Sequence, residues 1–396
     1  MTPRLRQVQI CNYRSIGRAV VDLEPFTVLV GANGSGKSNF LASLGFVKSC
    51  LLDSPAEAAR SQGGGTRMAP RWESLYSRTG FRFRLDLGDR HCADYAFEVA
   101  FDPSGAPLVT HELCRVESAG REQVFEVAEG EFKREIPGIR AQIQPDRLGL
   151  AVASATEEFR PVYDFLTGMQ LYSINPASLH AARPTRSGPL EFSGENAAQV
   201  LTRLAERLDA YERLNQLLSR AVPGLRKVQS RKLGDRLGIE FVQDVGKEYP
   251  ETFDAWEMSD GTLRLLGLLL AIYQPQRPSL VAIEEPEATV HPAVAELVLQ
   301  VLLDAAEDRQ VLITTHSPDI LDAKELSDEQ IRVVTMAHGR TSIAPLAQAS
   351  RQAIREHLYT PGELLRSNEL NQDAAAAAEA AERLDLFAAA VSHTGK

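Results

Sequence analysis

The chain is poor in cysteine, in long apolar runs and in net positive charge, and each shortage removes a class of protein. Its 396 residues hold four cysteines (Cys11, Cys50, Cys92 and Cys114) and no CxxC pair. His111 and Cys114 have ligand-like spacing, but no second pair completes a zinc site, so structural zinc and a disulfide scaffold are both disfavoured. No stretch reaches the roughly 18 uncharged apolar residues of a membrane span, and the opening MTPRLRQVQICNYRS has no apolar signal core. A soluble, cytoplasmic chain with no membrane partner is the expectation. Lys and Arg number 43 against 53 Asp and Glu, a net charge of −10. That argues against a surface that is basic throughout and leaves room for a local basic groove. No internal repeat occurs, and the length suggests two or three domains or one domain with large insertions.

What is present is concentrated in four motifs. The first is Gly31-Ala32-Asn33-Gly34-Ser35-Gly36-Lys37-Ser38, a complete GxxxxGK[ST]. It follows the apolar run Phe26-Thr27-Val28-Leu29-Val30 and opens a segment with apolar residues at near-helical spacing. A strand, a glycine-rich turn and a helix are the context of a phosphate-binding P-loop. Its glycines let backbone N–H groups wrap phosphate oxygens, and the helix start adds a favourable dipole. Lys37 is expected to reach the β- and γ-phosphates of ATP, and the Ser38 hydroxyl to bind Mg²⁺.

The second motif is Leu280-Val281-Ala282-Ile283-Glu284-Glu285-Pro286-Glu287, an apolar strand that ends in carboxylates. Glu284 is expected to hold Mg²⁺, and Glu285 to polarise the attacking water as general base. The third is Met258-Ser259-Asp260-Gly261-Thr262 before the helix LRLLGLLLAIY, a second candidate anion site. The fourth is Thr314-Thr315-His316-Ser317-Pro318 after Val311-Leu312-Ile313, which places His316 to donate to a γ-phosphate. Read alone, the last three have plain alternatives: a solvated acidic turn, an N-cap and a structural histidine.

Between these motifs the pattern changes. Residues 80–135 alternate at a two-residue period, as in Phe81-Arg82-Phe83-Arg84-Leu85, with turn signals at Asp102-Pro103-Ser104-Gly105 and Glu129-Gly130. This predicts an antiparallel β region. SQGGGTR (61–67) reads as a flexible loop, 136–194 as irregular and 195–222 as a helix. Short strands are predicted at 228–233 and 238–242, then helices at 261–273 and 292–306. Strands follow at 280–283 and 311–315, with 331–335 and 342–345 closing the sheet. The alanine-rich tail favours a weakly packed helix, and the closing SHTGK is expected to be disordered.

The order P-loop, SDG-helix, EEPE, THSP resembles the ABC-type ATPase head of the RecF/SMC group. More closely, it resembles the compact bacterial ATPases with an AAA-ATPase-like domain. The opening Ile10, Asn12, Tyr13, Arg14, Ser15 and Ile16, then FTVLVGANGSGKSNFL, SDGTLRLL, IEEPEATVHP and TTHSPDILD, carry the likeness. The resemblance implies an α/β P-loop NTPase head, a mixed sheet flanked by helices, interrupted by an antiparallel β region and a helical lobe. The implied layout is 1–55 (head, Walker A), 56–135 (β region), 136–250 (helical and irregular lobe), 251–370 (signature, Walker B, His switch) and 371–396 (tail).

It further implies an ATP-dependent, head-to-head homodimer around two ATP–Mg²⁺. Lys37, Ser38, Asn39, Glu284, Glu285 and His316 would act in cis, Ser259 and Gly261 in trans, with Arg14 near the nucleotide. Gln62 is a weak candidate for the Q-loop glutamine. Long coiled coils of the SMC kind have no counterpart in 195–222. The 80 residues after His316 hold no DxD motif, which disfavours a built-in nuclease.

DNA is one expected partner. Residues 203–236 carry nine Lys or Arg against four acids, and residues 60–90 seven against three. The expected role is DNA repair, recombination or anti-phage defence. The alternative is an ATPase regulatory subunit that acts on a separate effector such as a nuclease. An ABC transporter subunit is a third, weaker reading.

Overall fold

The computed structural model describes residues 2–68, 70, 72, 78–88, 91–102, 106–136, 143–185, 187–289 and 291–388. The predicted turn at 103–105 and the SHTGK tail lie outside them. The chain forms two compact units: Met1–Met169 with Ser327–Tyr359 and Ser367–Lys396, and Gln170–Leu326 with Thr360–Arg366.

In the first unit, strands β1 (Arg4–Tyr13), β2 (Ile16–Asp22) and β3 (Phe26–Val30) lead into the phosphate helix Lys37–Leu52. An antiparallel run follows: β4 (Thr79–Gly88), β5 (His91–Phe101), β6 (Pro107–Ser118), β7 (Arg121–Ala128) and β8 (Glu131–Arg134). The later strands β16 (Ile331–Ala337) and β17 (Arg340–Pro345) return to the same sheet, whose order here is β8-β7-β6-β5-β4-β1-β2-β17-β16-β3. β16 pairs with β3 in parallel, with Ile331 opposite Val28, and Thr341 of β17 pairs with Ile16.

The alternation seen in the sequence sends Phe81, Phe83, Tyr95, Phe97 and Phe125 inward, each fully buried. Tyr13, Phe46 of the phosphate helix and Phe81 stack within 6 Å of one another, so the helix is fixed to the sheet by aromatic contact. Glu112 of β6 is also inside this core. It accepts from the Tyr95 hydroxyl and the Leu150 N–H, each at 2.9 Å, and from the Gly149 N–H. Burial pushes its carboxyl up to about 7.

In the second unit, β9 (Gln170–Tyr172), β14 (Leu280–Glu284) and β15 (Gln310–Thr315) form a parallel layer with β14 in the middle. A separate antiparallel sheet holds β10 (Arg183–Pro184), β11 (Leu225–Leu233), β12 (Arg236–Gln243) and β13 (Glu251–Asp254). Helices Ala197–Leu204 and Leu208–Ala221 replace the single helix expected over 195–222. The chain turns at Glu206 and Arg207, whose N–H groups bond to Arg203 and Leu204. The interruption shifts the apolar stripe: Leu204 is buried before it, Leu208 is 68% exposed after it, and Leu214, Leu217 and Leu218 resume the inward face. The expected loop at 61–67 also differs: Gly65–Met68 is one helical turn, and Met68 is buried.

The long apolar helix Asp260–Tyr273 packs closely on the chain after β9. A Cβ on Gly267 would lie 2.5 Å from Ile174, so only glycine fits there. Among the described residues no helix is long and apolar enough to cross a membrane.

Candidate nucleotide site

The P-loop is built wholly within the first unit. All five residues of β3 are buried, and the strand ends at Gly31. Gly34 and Gly36 take left-handed backbone, φ 78° and 107°. The loop also has a floor contributed from far along the chain. A Cβ on Gly31 would lie 2.1 Å from the Val334 carbonyl oxygen, and one on Gly36 would lie 2.0 Å from the Thr341 hydroxyl. Thr341 Oγ1 donates to the Ser35 carbonyl at 2.9 Å and meets Ser15 Oγ at 2.7 Å. Lys37 is buried, and its Nζ donates to the carbonyls of Gly31 (2.7 Å) and Ala32 (3.1 Å), which holds the ammonium inside the loop. Ser35 Oγ is buried with no hydrogen-bond partner among the described residues. Ala32, Asn33, Gly34 and Ser38 are exposed at the rim. A cradle of free backbone, a buried ammonium and an orphaned hydroxyl fit a phosphate chain.

Arg14 belongs to this constellation. Asn12 and Arg14 both have positive φ, 54° and 52°, which is costly for non-glycine residues and tends to persist at functional sites. Arg14 donates to Asn39 Oδ1 at 3.3 Å and to Gln62 Oε1 at 3.1 Å, and Asn39 donates to Ser15 at 2.6 Å. Tyr13 donates to the same Gln62 oxygen at 2.5 Å. The β1–β2 turn and Gln62 are therefore tied to the residue next to Ser38.

The second unit holds the acidic turn. Glu284 is the last residue of β14, and Glu285 has a left-handed φ of 42°. The Glu285 N–H is held by the Thr314 carbonyl (3.0 Å) and hydroxyl (3.2 Å). From the other side Arg264 donates to the carbonyls of Glu284 (3.2 Å), Glu285 (2.8 Å) and Ile174 (2.8 Å). Arg264 is buried, and desolvation lowers its pKa against the opposing pull of Glu287, Glu285 and Glu284. Glu287 accepts from Thr315, and burial raises its carboxyl. His316 Nδ1 lies 3.1 Å from Glu285 Oε1. Both side chains remain open to solvent, at 47% and 34% exposure.

Ser259 caps the helix Asp260–Tyr273 by accepting the Thr262 N–H at 3.2 Å. It stands exposed with Asp260, and Gly261 is half-buried. One turn further on, the same helix carries Arg264, so the signature and the acidic turn share one rigid element.

Sequence reading assigned no role to Arg264 or Thr341, and it quoted Thr314 and Ser15 only as parts of motifs. Arg264 left a further signal, as a lone charge inside an otherwise apolar helix.

The basic segment 203–236 is partly neutralised. Arg226 pairs with Asp244 at 2.9 Å, and Arg231 with Glu240 at 2.9 Å. Arg207, Arg213, Arg220, Lys227, Lys232 and Arg236 are exposed and form no ion pair with a described residue. In 60–90 the described arginines are largely committed: Arg60 to Glu57, Arg78 to Glu98, and Arg82 and Arg84 to Asp94. Arg71 and Arg90 lie outside the described residues.

Comparison with known proteins agrees with this geometry. Residues 4–56 match the AAA ATPase domain model, and residues 170–322 match the AAA domain model described for the AbiEii toxin, Type IV TA system. The chain is 27% identical over 179 residues to the phosphonates import ATP-binding protein PhnC 1 of Ruegeria sp. (strain TM1040), covering 44% of this chain and 63% of that protein. It is 21% identical over 370 residues to the Old nuclease of Escherichia phage P2, covering 83% and 59%. The chain thus spans about six-tenths of the length of the curated relatives it matches.

Among solved structures it resembles the SMC head bound to the C-winged helix domain of ScpA (15% identity, TM-score 0.52, 88% of this chain and 99% of that one). It also resembles the Pyrococcus furiosus SMC head bound to the C-terminal domain of ScpA (14%, 0.54, 90% and 100%). The two AAA matches support a P-loop ATPase, and these structures show that its fold is that of an SMC head.

Proposed function

We propose that the chain is a nucleotide-gated ATPase head that closes against a second copy around two ATP–Mg²⁺ and couples hydrolysis to work on DNA. The observation that carries this reading is the state of the two half-sites. The P-loop is complete within one unit, whereas Ser259 and Asp260, at the start of the helix Asp260–Tyr273, stand exposed. Lys37 would neutralise the phosphates, and Ser38 and Glu284 would supply hard oxygen ligands for Mg²⁺. Glu285 would take the proton of the attacking water, with His316 beside it to orient or donate. Ser259 and Gly261 would contact the γ-phosphate held by the other copy. Arg14 and Gln62 would respond to the nucleotide through Asn39. The unpaired cations of 203–236 would meet phosphate backbone, in repair, recombination or antiviral defence.

The test is sedimentation and DNA binding of Glu285→Gln with ATP. A dimer that binds DNA at low salt is expected, with binding weakened steeply by added salt. A monomer, or a dimer indifferent to DNA, overturns the corresponding half. The likeness to the Old nuclease supports a second reading, in which the ATPase governs a separate effector nuclease. Copurification of an effector with a DNA-indifferent dimer would select it.

A further inference from the structure

The alanine-rich helix Ala374–Glu382 buries none of its residues, yet the segment after it is firmly seated in the first unit. Leu384 and Leu386 are buried at 8% and 5% exposure in a small cluster with Ala96, and Cys11, Val20 and Phe387 pack around it. Phe387 stacks on His111 with ring centroids 3.8 Å apart. Gly80 of β4 makes room for Leu386, since a Cβ there would lie 2.2 Å from Leu386 Cδ1.

The polar contacts are of one kind. Three arginines from three strands donate to main-chain carbonyls of the tail. Arg18 reaches Ala381 (2.8 Å) and Leu384, Arg82 reaches Asp385 (2.9 Å) and Ala388 (3.0 Å), and Arg115 reaches Ala388 (3.2 Å). Arg82 is also locked in place by Asp94. Within the tail, Asp385 Oδ1 accepts the Phe387 N–H at 3.0 Å and sets the local bend.

This is the grammar of linear-peptide recognition: fixed donors read the backbone, and apolar pockets read alternate side chains. The cluster is a satellite of the main aromatic core, so emptying it leaves that core closed. We propose that the outer face of β1, β2, β4, β5 and β6 is a receptor for a bent Leu-x-Leu-Phe segment. The chain fills it in cis with residues 384–387, and a partner protein presenting the same acidic-apolar pattern displaces them. The carbonyl-directed arginines accept any sequence of that backbone shape, and the pockets select Leu, Leu and Phe.

The probe is a fluorescein-labelled peptide, Ala-Glu-Arg-Leu-Asp-Leu-Phe-Ala, followed by fluorescence anisotropy. A chain ending at residue 373 is expected to bind it at least about tenfold more tightly than the intact chain, whose own tail competes. Gly80→Val, which fills the Leu386 pocket and leaves the three arginines in place, is expected to abolish that binding, as is scrambling the peptide. Should the shortened chain fail to fold, the intact chain with Leu386→Ser and Phe387→Ser takes its place. Absence of binding to the folded, tail-emptied protein overturns the inference, and so does binding that Gly80→Val leaves intact.

Discussion

The two half-sites are held by opposite means. In the first unit the phosphate loop is shaped by what is missing: side chains at Gly31 and Gly36 would strike Val334 and Thr341 within about 2 Å. In the second unit the acidic turn is shaped by what is added, a buried guanidinium that collects three carbonyls from two neighbouring strand ends. The P-loop keeps its lysine inside, while Glu285 and His316 are left open to solvent. The P-loop is thus pre-formed, and the acidic turn has a fixed backbone but unburied side chains. On the proposed function, that division lets ATP be held before it is cut.

Substitutions can break this contrast. The largest effect is expected from Glu285→Gln, which removes the proposed base and spares the backbone clamp. Turnover should fall by about 10²–10⁴ while nucleotide affinity and melting temperature stay unchanged. A fall in stability would mean that the side chain, and not Arg264, holds the turn. Next is Arg264→Ala, which strands three carbonyls and leaves the neighbouring carboxylates without their counter-charge. A loss of about 3–5 kcal/mol is expected, read as faster hydrogen exchange in residues 280–316. Exchange confined to the mutated helix would defeat the clamp.

Gly36→Val should cost about 1–3 kcal/mol by overpacking against Thr341 and should also lose ATP binding. The double variant with Thr341→Ala is expected to regain stability in part but not the nucleotide, because the left-handed backbone remains unavailable to valine. A further effect concerns pH. The Glu112 carboxyl sits near 7 in the fold against an ordinary 4.5. The folded state therefore retains a proton that the unfolded chain releases, so stability should decline as pH rises from 4.5 to about 7. The slope should be at most about 1.4 kcal/mol per pH unit. Glu112→Gln should flatten this dependence in thermal melts, and an unchanged slope would assign it elsewhere.

Local chemistry was legible in the sequence, and distant support was not. Phe26–Val30 reads as a buried strand because its five residues are continuously apolar or β-branched, and it is one. The alternation at Phe81–Leu85 likewise predicts which side chains enter the core. The P-loop and the EEPE turn announce themselves because their chemistry needs neighbouring residues. The contacts of Thr341 and Ser15 are invisible in one dimension, since each joins positions about 300 residues apart. The helix over 195–222 misled for a different reason. The apolar spacing runs on through Leu208, which is exposed, so periodicity alone does not report the turn at Glu206 and Arg207. Leu384, Leu386 and Phe387 sit in a stretch whose alanines dominate its composition, which hides their anchoring role.

The floor under Gly31 and Gly36 also fixes an order of events during synthesis. Residues 31–38 leave the ribosome early, but Val334 and Thr341 follow some 300 residues later. At about 5–20 residues per second, that is a wait of roughly 15–60 s. Throughout it the Walker motif is present without the surface that shapes it. A growing or prematurely ended chain that stops short of the β17 strand should therefore bind ATP poorly.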